Sequence, residues 1–128
     1  MITYCLDTSA WIEITHDGPN APKFAKAVEK AETIIVSTIS IYEIARYTTR
    51  VADENATAEI LSFLHQYDPT PITSEIAELA ATLGPRHKLA MADALIYATA
   101  RSNNATLWTQ DSDFEGLPHV KYFPKIKS

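Results

Sequence analysis

An aspartate inside an alanine-rich apolar stretch is the first sign of chemistry in this sequence. The stretch covers residues 89–100, and Asp93 is its only acid. In a helix, Leu89, Ile96 and Tyr97 lie three or four positions from Asp93 and share its face. A carboxylate in such surroundings costs free energy unless something pairs with it. Asp93 is therefore either the N-cap of this helix, accepting a backbone N–H, or part of a polar site.

Further acids follow apolar runs that have the length of buried strands. Asp7 comes directly after residues 2–6, and Asp111 and Asp113 come soon after residues 105–109. The carboxyl ends of parallel strands meet at one edge of a sheet, where functional groups gather. Local alternatives exist for each acid, since Asp7 also suits an N-cap, and Asp111 and Asp113 also suit a turn.

Glu43 is the fourth acid of interest, in a helix predicted over residues 39–51. It can pair with Arg46, three positions further on, but such exposed pairs contribute only a few tenths of a kcal/mol. Its neighbours in the sequence are largely apolar, which argues against a pair on a solvated helix face. Thr109, just ahead of Asp111, fits an ordinary β-branched strand residue on local grounds.

Carboxylates that converge repel one another, and a hard divalent cation relieves the repulsion. Because Mg²⁺ prefers oxygen ligands and keeps several waters, four or five acids suit one or two Mg²⁺ or Mn²⁺ ions. Such ions activate water and stabilise the leaving oxygen in phosphodiester hydrolysis. The sequence gives little support for a zinc site or a glycine-rich nucleotide site. The histidines are scattered, there is one cysteine, and three glycines leave no phosphate-binding loop.

The composition bounds the class of protein. The chain has 128 residues, of which 46% are hydrophobic and 21% charged, and this predicts one domain over residues 1–128. The formal net charge of -5 disfavours non-specific nucleic-acid binding, although cations held by acids can still meet phosphates. Since no long apolar run and no signal-peptide pattern occur, we expect a cytoplasmic protein with no membrane segment.

Strand patterns alternate with helical patterns along the chain. This alternation predicts an α/β fold in which helices cover both faces of a parallel sheet of about four or five strands. We also expect a short strand near Ile72 and a helix that begins at Ser74 and ends at Gly84-Pro85. Residues 86–88, Arg-His-Lys, then form a basic loop before the Asp93 helix.

Four segments together carry a resemblance to a known family. They are Leu6-Asp7-Thr8-Ser9, Tyr42-Glu43-Ile44 preceded by Val36-Ser37, Asp-Ala-Leu-Ile-Tyr-Ala-Thr-Ala at residues 93–100, and Ala-Thr-Leu-Trp-Thr-Gln-Asp-Ser-Asp-Phe at residues 105–114. In these segments the chain resembles the PIN-domain ribonucleases, and most closely the VapC toxins of bacterial and archaeal toxin–antitoxin pairs. Each segment alone is weak, but their order and spacing cover nearly the whole chain.

The resemblance implies a three-layer α/β/α, flavodoxin-like fold and a role for each acid. The positions that match the catalytic acidic quartet of the family are Asp7, Glu43, Asp93 and Asp111. Asp113 matches a frequent fifth acid, and Thr109 occupies the position of a supporting hydroxyl. The resemblance thus implies that all five acids serve as ligands of Mg²⁺ or Mn²⁺.

The resemblance also implies an activity and partners. VapC toxins are Mg²⁺- or Mn²⁺-dependent endoribonucleases, usually homodimers, and a VapB antitoxin inhibits them by reaching the acidic pocket with its C-terminal segment. We therefore expect a type II toxin that cleaves tRNA or rRNA, with metal-activated water attacking the phosphate as the 3′ oxygen departs. Arg86 and Lys88 are either contacts to the RNA backbone or simply exposed bases.

Other functions stay open at this point. A housekeeping RNA-processing nuclease of the same family has no antitoxin. A non-catalytic Mg²⁺-binding regulatory module, similar to a receiver domain, requires paired acids after the first strand and a lysine after a late strand. Here Thr8 and Ser9 follow Asp7, and Gln110 follows Thr109, so this pattern fits poorly. A haloacid-dehalogenase-like phosphatase needs a second aspartate at the position of Ser9.

Overall fold

One parallel sheet forms the centre of the molecule in the computed structural model, which describes residues 1–127. Within these residues the sheet has four strands in the order β2-β1-β3-β4, and each neighbouring pair is parallel. The strands are β1 (Thr3–Leu6), β2 (Thr33–Ile35), β3 (Thr106–Thr109) and β4 (Val120–Tyr122). The expectation of a parallel sheet of about four or five strands is confirmed.

Helices connect the strands and cover the sheet. They are α1 (Thr8–Thr15), α2 (Ala21–Lys30), α3 (Thr38–Val51), α4 (Glu54–His65), α5 (Ser74–His87) and α6 (Met91–Ser102). A short 3-10 helix, Ser112–Phe114, follows β3. None of the helices in the described part of the chain is long and apolar enough to span a bilayer.

The two faces of the sheet carry separate hydrophobic clusters, because successive strand residues point to opposite faces. Cys5 and its partner Leu107 belong to a cluster that includes residues of α5 and α6. The next pair along, Leu6 and Trp108, packs with residues of α1, α2, α3 and α4. The fold is therefore the expected three-layer α/β/α arrangement, with the sheet buried in the middle.

The predicted strand near Ile72 is wrong. Residues 71–73 form no strand, and the nearest pairing is an isolated bridge between Ser37 and Thr70. In this bridge the Thr70 N–H donates to the Val36 carbonyl at 2.7 Å. The residues on either side of Thr70 are Pro69 and Pro71, which lack an N–H, so the ladder cannot extend beyond one pair.

The predicted end of the fifth helix at Gly84-Pro85 is also wrong, and residues 86–88 are not a free loop. Helix α5 continues through Pro85 to His87, and Lys88 ends it in the left-handed conformation with φ of 57°. Gly84 serves packing, since a Cβ atom at this position would lie 3.2 Å from the Cβ of Ala94 on α6. Pro85 has no N–H to donate to the carbonyl four positions back, but only two helical residues follow it, so its effect is confined to the end of α5.

The strand order places one edge of the sheet where a site is expected. The chain leaves β1 toward β2 on one side and reaches β3 on the other, so β1 and β3 flank the point where the strand order reverses. Open α/β sheets bind ligands outside the carboxyl ends of the strands at such a point. The residues that follow β1 and β3 are Asp7 and the segment 110–113.

Candidate active site

Three carboxylates meet beyond the carboxyl end of β3. Asp93 is the third residue of α6, Asp111 caps the 3-10 helix after β3, and Asp113 lies inside that helix. Each of the three offers a carboxylate oxygen, and these oxygens all lie within 4.8 Å of one another. Residues up to 20 positions apart in the sequence thus form one compact acidic group.

Asp7 is buried beside this group, with 3% of its surface exposed. It is the N-cap of α1, and its Oδ1 accepts hydrogen bonds from the Ala10 N–H at 3.0 Å and the Ser9 hydroxyl at 2.8 Å. Its Oδ2 accepts a hydrogen bond from the Thr109 hydroxyl at 2.7 Å. The local N-cap explanation for Asp7 is correct, but the contact with Thr109 shows that it also joins β1 to the end of β3.

Thr109 connects two of the acids. Its side chain is fully buried, and its hydroxyl oxygen accepts a hydrogen bond from the Asp111 N–H at 2.9 Å while its proton goes to Asp7. A valine, which has the same shape, can make neither contact. The hydroxyl of Thr109 therefore sets the position of the Asp111 backbone relative to the Asp7 carboxylate.

Glu43 approaches from α3 and is oriented by hydroxyl groups rather than by a base. Its Oε1 accepts a hydrogen bond from the Thr8 hydroxyl at 2.7 Å, and Thr8 also contacts the Ser40 hydroxyl at 3.0 Å. Arg46 donates instead to the Tyr42 hydroxyl at 2.8 Å. The surface pairing of Glu43 with Arg46, which the sequence left open, is not the hydrogen bond that these side chains make.

Burial and mutual repulsion make protonation of the site easier. The pKa of Asp93 rises to about 7, mainly because burial penalises its charge and further because Asp111, Asp113, Asp7 and Glu43 are negatively charged. Burial also raises the pKa of Asp7 to about 6, although hydrogen bonds from Thr109, Ser9 and Ala10 act in the opposite direction. The other four acids are thus all close enough to influence Asp93.

The donor set fits a hard divalent cation. The nearest groups are carboxylates, which Mg²⁺ and Mn²⁺ prefer, and a cation among them removes the repulsion that raises the pKa of Asp93. Asp93, Asp111 and Asp113 can offer oxygens directly. Both oxygens of Asp7 already accept hydrogen bonds, so its remaining lone pairs suit contact through water.

The structure also shows whether Asp93 caps its helix and whether Asp111 belongs to a turn. Ala90 is the N-cap of α6, so Asp93 does not cap its helix. Asp111 does cap a turn, since its Oδ1 accepts a hydrogen bond from the Asp113 N–H at 2.9 Å. A turn role and membership of the acidic group are compatible, because the second carboxylate oxygen of Asp111 is not used in that cap.

The two bases singled out from the sequence lie at the end of α5. Arg86 is exposed in the last turn and lines a concave surface with His87, Arg101 and His119. Lys88 is the exposed residue that ends the helix. Neither Arg86 nor Lys88 is among the groups that shift the pKa of Asp93. Contact of these two residues with RNA stays a prediction.

Sequence reasoning named Thr109 but missed other polar residues that hold the acids in place. Thr8 and Ser9 look like helix starters, but they donate to Glu43 and Asp7. A second network was also missed. The amide of Asn20, which is fully buried, donates to Gln110 Oε1 and to the Pro124 carbonyl, each at 3.0 Å. The only signal available was that polar residues flank both Asp7 and Asp111.

Comparisons with known proteins agree with this fold. The family model of the PIN domain matches residues 4–120. Among curated proteins, sequence comparison finds no match. An acidic site beyond the carboxyl ends of a parallel α/β/α sheet defines the class, and the family model identifies it: the chain belongs to the PIN domain family.

Solved structures share this fold over nearly the full chain. A chain of a toxin–antitoxin complex from Klebsiella pneumoniae is 27% identical, with a TM-score of 0.77, and the match covers 96% of this chain and 99% of that chain. A chain of VapBC2 from Rickettsia felis, bound to a promoter DNA fragment, is 18% identical, with a TM-score of 0.74 and coverage of 96% and 98%. VapC20 from Mycobacterium tuberculosis, described as a sarcin-ricin loop cleaving toxin, is 16% identical, with a TM-score of 0.73 and coverage of 90% and 95%.

Proposed function

We propose that this protein is a metal-dependent endoribonuclease and the toxin of a type II toxin–antitoxin pair. The observation that carries the proposal is the convergence of Asp93, Asp111 and Asp113 within 4.8 Å at the reversal point of the sheet. The toxin role is supported by the PIN family match and by the solved toxin–antitoxin complexes that have the same fold. We further propose tRNA or rRNA as the substrate, a VapB-type antitoxin as the partner, and a homodimer.

The acids differ in how they would bind the metal ions. Asp93, Asp111 and Asp113 would hold one or two Mg²⁺ or Mn²⁺ ions, and Asp7 and Glu43 would bind through intervening water. When bound, such a cation supplies a Lewis acid that activates water and offsets negative charge at the reacting phosphate. Thr109, Ser9 and Thr8 keep their acids in one orientation, so that the carboxylates need little rearrangement during the reaction.

The chemistry is hydrolysis of a phosphodiester bond. Water adds to the phosphorus atom, the bond to the 3′ oxygen breaks, and the products carry a 5′-phosphate and a 3′-hydroxyl. No side chain is required as a nucleophile. Without a cation the carboxyl groups of Asp7 and Asp93 have pKa values of about 6 and 7, and a bound divalent cation favours the ionised form of both.

Cleavage of a total tRNA and rRNA pool tests the proposal. We expect discrete fragments with Mg²⁺ or Mn²⁺, none in EDTA, and a loss of at least about 100-fold in rate for Asp93→Asn. Glu78→Gln is the matched control, because Glu78 is an exposed acid on α5, and its rate should equal that of the wild type. Equal cleavage by Asp93→Asn and the wild type would contradict the proposed site.

The partner proposal needs a separate measurement. Co-expression with the product of the neighbouring small open reading frame should give a stable complex in which RNA cleavage is suppressed. Light scattering of the free protein should give twice the mass of one chain. Metal-dependent cleavage without any inhibitory partner would support the alternative of a housekeeping RNA-processing nuclease.

A further inference from the structure

The exposed side of α3 carries a row of arginines and tyrosines that begins next to Glu43. Tyr42, Arg46, Tyr47 and Arg50 line one concave surface together with Glu43, and the volume of this surface pocket is about 310 Å³. We call these four residues the α3 stripe. The arrangement is unusual for a chain with a formal net charge of -5, because it sets two cations beside a cluster of acids.

Helical spacing turns the α3 stripe into a continuous track. Tyr42, Arg46 and Arg50 are four positions apart and lie on one face of α3. At about 1.5 Å per residue, the track extends roughly 12 Å from the level of Glu43 toward the end of α3. This length matches about three nucleotides of a stacked strand at roughly 3.4 Å each.

The side chains of the α3 stripe are held in place by one another. Arg46 donates to the Tyr42 hydroxyl at 2.8 Å, and the Arg50 guanidinium lies 5.5 Å from the centre of the Tyr47 ring. The Tyr42 side chain is nevertheless 60% exposed. A guanidinium has five N–H donors, so the single bond to Tyr42 leaves Arg46 free to contact a phosphate as well.

We propose that the α3 stripe binds single-stranded RNA on one side of the cleaved phosphodiester. Arg46 and Arg50 contact phosphates, and Tyr42 provides a face on which a base stacks, which is the combination that single-strand binding sites use. The inference rests on the proposed endoribonuclease function and adds the path of the substrate. RNA is favoured over a protein partner because the stripe is cationic and continuous with the acid that serves the phosphate chemistry.

Binding of a fluorescein-labelled oligouridine of twelve nucleotides tests this inference. All variants carry Asp93→Asn so that the probe stays intact, and fluorescence anisotropy is recorded over a range of salt concentrations. For Arg46→Ala with Arg50→Ala, we expect weaker binding and a salt-dependence slope reduced by about 1.4, that is roughly 0.7 per lost phosphate contact. Lys26→Ala with Lys30→Ala is the matched control, since it removes two exposed charges on α2.

Tyr42 provides a second, independent readout. Tyr42→Leu should weaken oligouridine binding by about 5-fold or more, because stacking of one base is lost. Tyr42→Phe keeps the ring and removes only the hydroxyl that Arg46 contacts, so it should bind close to wild-type strength. Circular dichroism establishes folding, and Arg46→Gln with Arg50→Gln replaces the alanine pair if that pair does not fold.

Several outcomes overturn the inference. Arginine variants that match the lysine control in both affinity and salt slope overturn it, as does a Tyr42→Leu variant with unchanged affinity. Loss of dimerisation or of antitoxin binding, with oligouridine affinity unchanged, assigns the α3 stripe to a protein interface instead. Failure of the proposed function looks different: the wild type then cleaves no RNA, while oligouridine binding still depends on Arg46 and Arg50.

Discussion

Replacing Thr109 by valine tests how the site is held together. The valine side chain has the shape of threonine but lacks the hydroxyl that donates to Asp7 at 2.7 Å and accepts from the Asp111 N–H at 2.9 Å. Thr109 is fully buried, so water cannot easily replace it. At a pH of about 8 the Asp7 carboxyl is ionised, since its pKa is about 6, and the lost hydrogen bond is one to a charge.

The expected loss follows from these two contacts. A hydrogen bond to a charged group contributes about 1.5–3 kcal/mol, and an unpaired buried N–H costs about 1–3 kcal/mol. Because the loop of Asp111 can relax, we expect Thr109→Val to lower the free energy of unfolding by about 3 kcal/mol in EDTA. For a chain of 128 residues this corresponds to a decrease of about 10 °C in Tm.

Thr99→Val is the control for this substitution. Thr99 is also fully buried, but its hydroxyl only donates to the Leu95 carbonyl at 2.7 Å within α6. We expect a loss of about 1 kcal/mol or less, since that carbonyl is within a helix. Thermal and urea unfolding, followed by circular dichroism, measure both variants. The reasoning is refuted if Thr109→Val is no less stable than Thr99→Val.

Three further predictions concern charge and packing. In EDTA, stability should fall as the pH rises from about 5 to 8, because the folded values of about 6 for Asp7 and about 7 for Asp93 exceed the unfolded value of 3.8 and the folded state therefore binds more protons. Urea unfolding across this range checks it, and Asp93→Asn should flatten the profile. Gly84→Val should cost roughly 1–3 kcal/mol, because a Cβ there meets Ala94 at 3.2 Å, whereas Ala81→Val on the exposed side of α5 should be nearly neutral in the same assay. Arg86→Ala with Lys88→Ala should weaken RNA binding and flatten its salt dependence, and unchanged binding at low salt would remove these residues from the RNA path.

The sequence by itself determined the class of fold and the edge of the sheet where the acids belong. Short apolar runs before Asp7 and Asp111 are local signals for buried strands, and their alternation with helical patterns leaves a parallel α/β sheet as the consistent solution. Parallel strands share one carboxyl edge, so the positions of these acids followed without knowledge of the register. The family resemblance, confirmed by the match over residues 4–120, implied a shared role for these acids together with Glu43, Asp93 and Asp113.

Two segments differ from the secondary structure that the local sequence pattern predicts. Gly84-Pro85 has the composition of a helix end, but α5 continues past it because Gly84 allows α6 to approach closely and Lys88 supplies the left-handed end. The strand expected near Ile72 does not form, and the prolines on either side of Thr70 limit pairing in this segment to one bridge. The course of α5 thus depended on a neighbour in α6 that the local pattern does not contain, whereas the single bridge at Thr70 follows from the adjacent prolines.

Only the tertiary structure decided which groups touch. The closest carboxylates are Asp93, Asp111 and Asp113, and the hydroxyl that joins Asp7 to Asp111 belongs to Thr109, 102 positions from Asp7. The bond between Asn20 and Gln110 spans 90 positions. Periodicity and propensity act over a few residues, whereas such contacts depend on the register of paired strands and on the packing of helices across the sheet. The chemistry of the acids can therefore be read from the chain, but their geometry exists only in the folded protein.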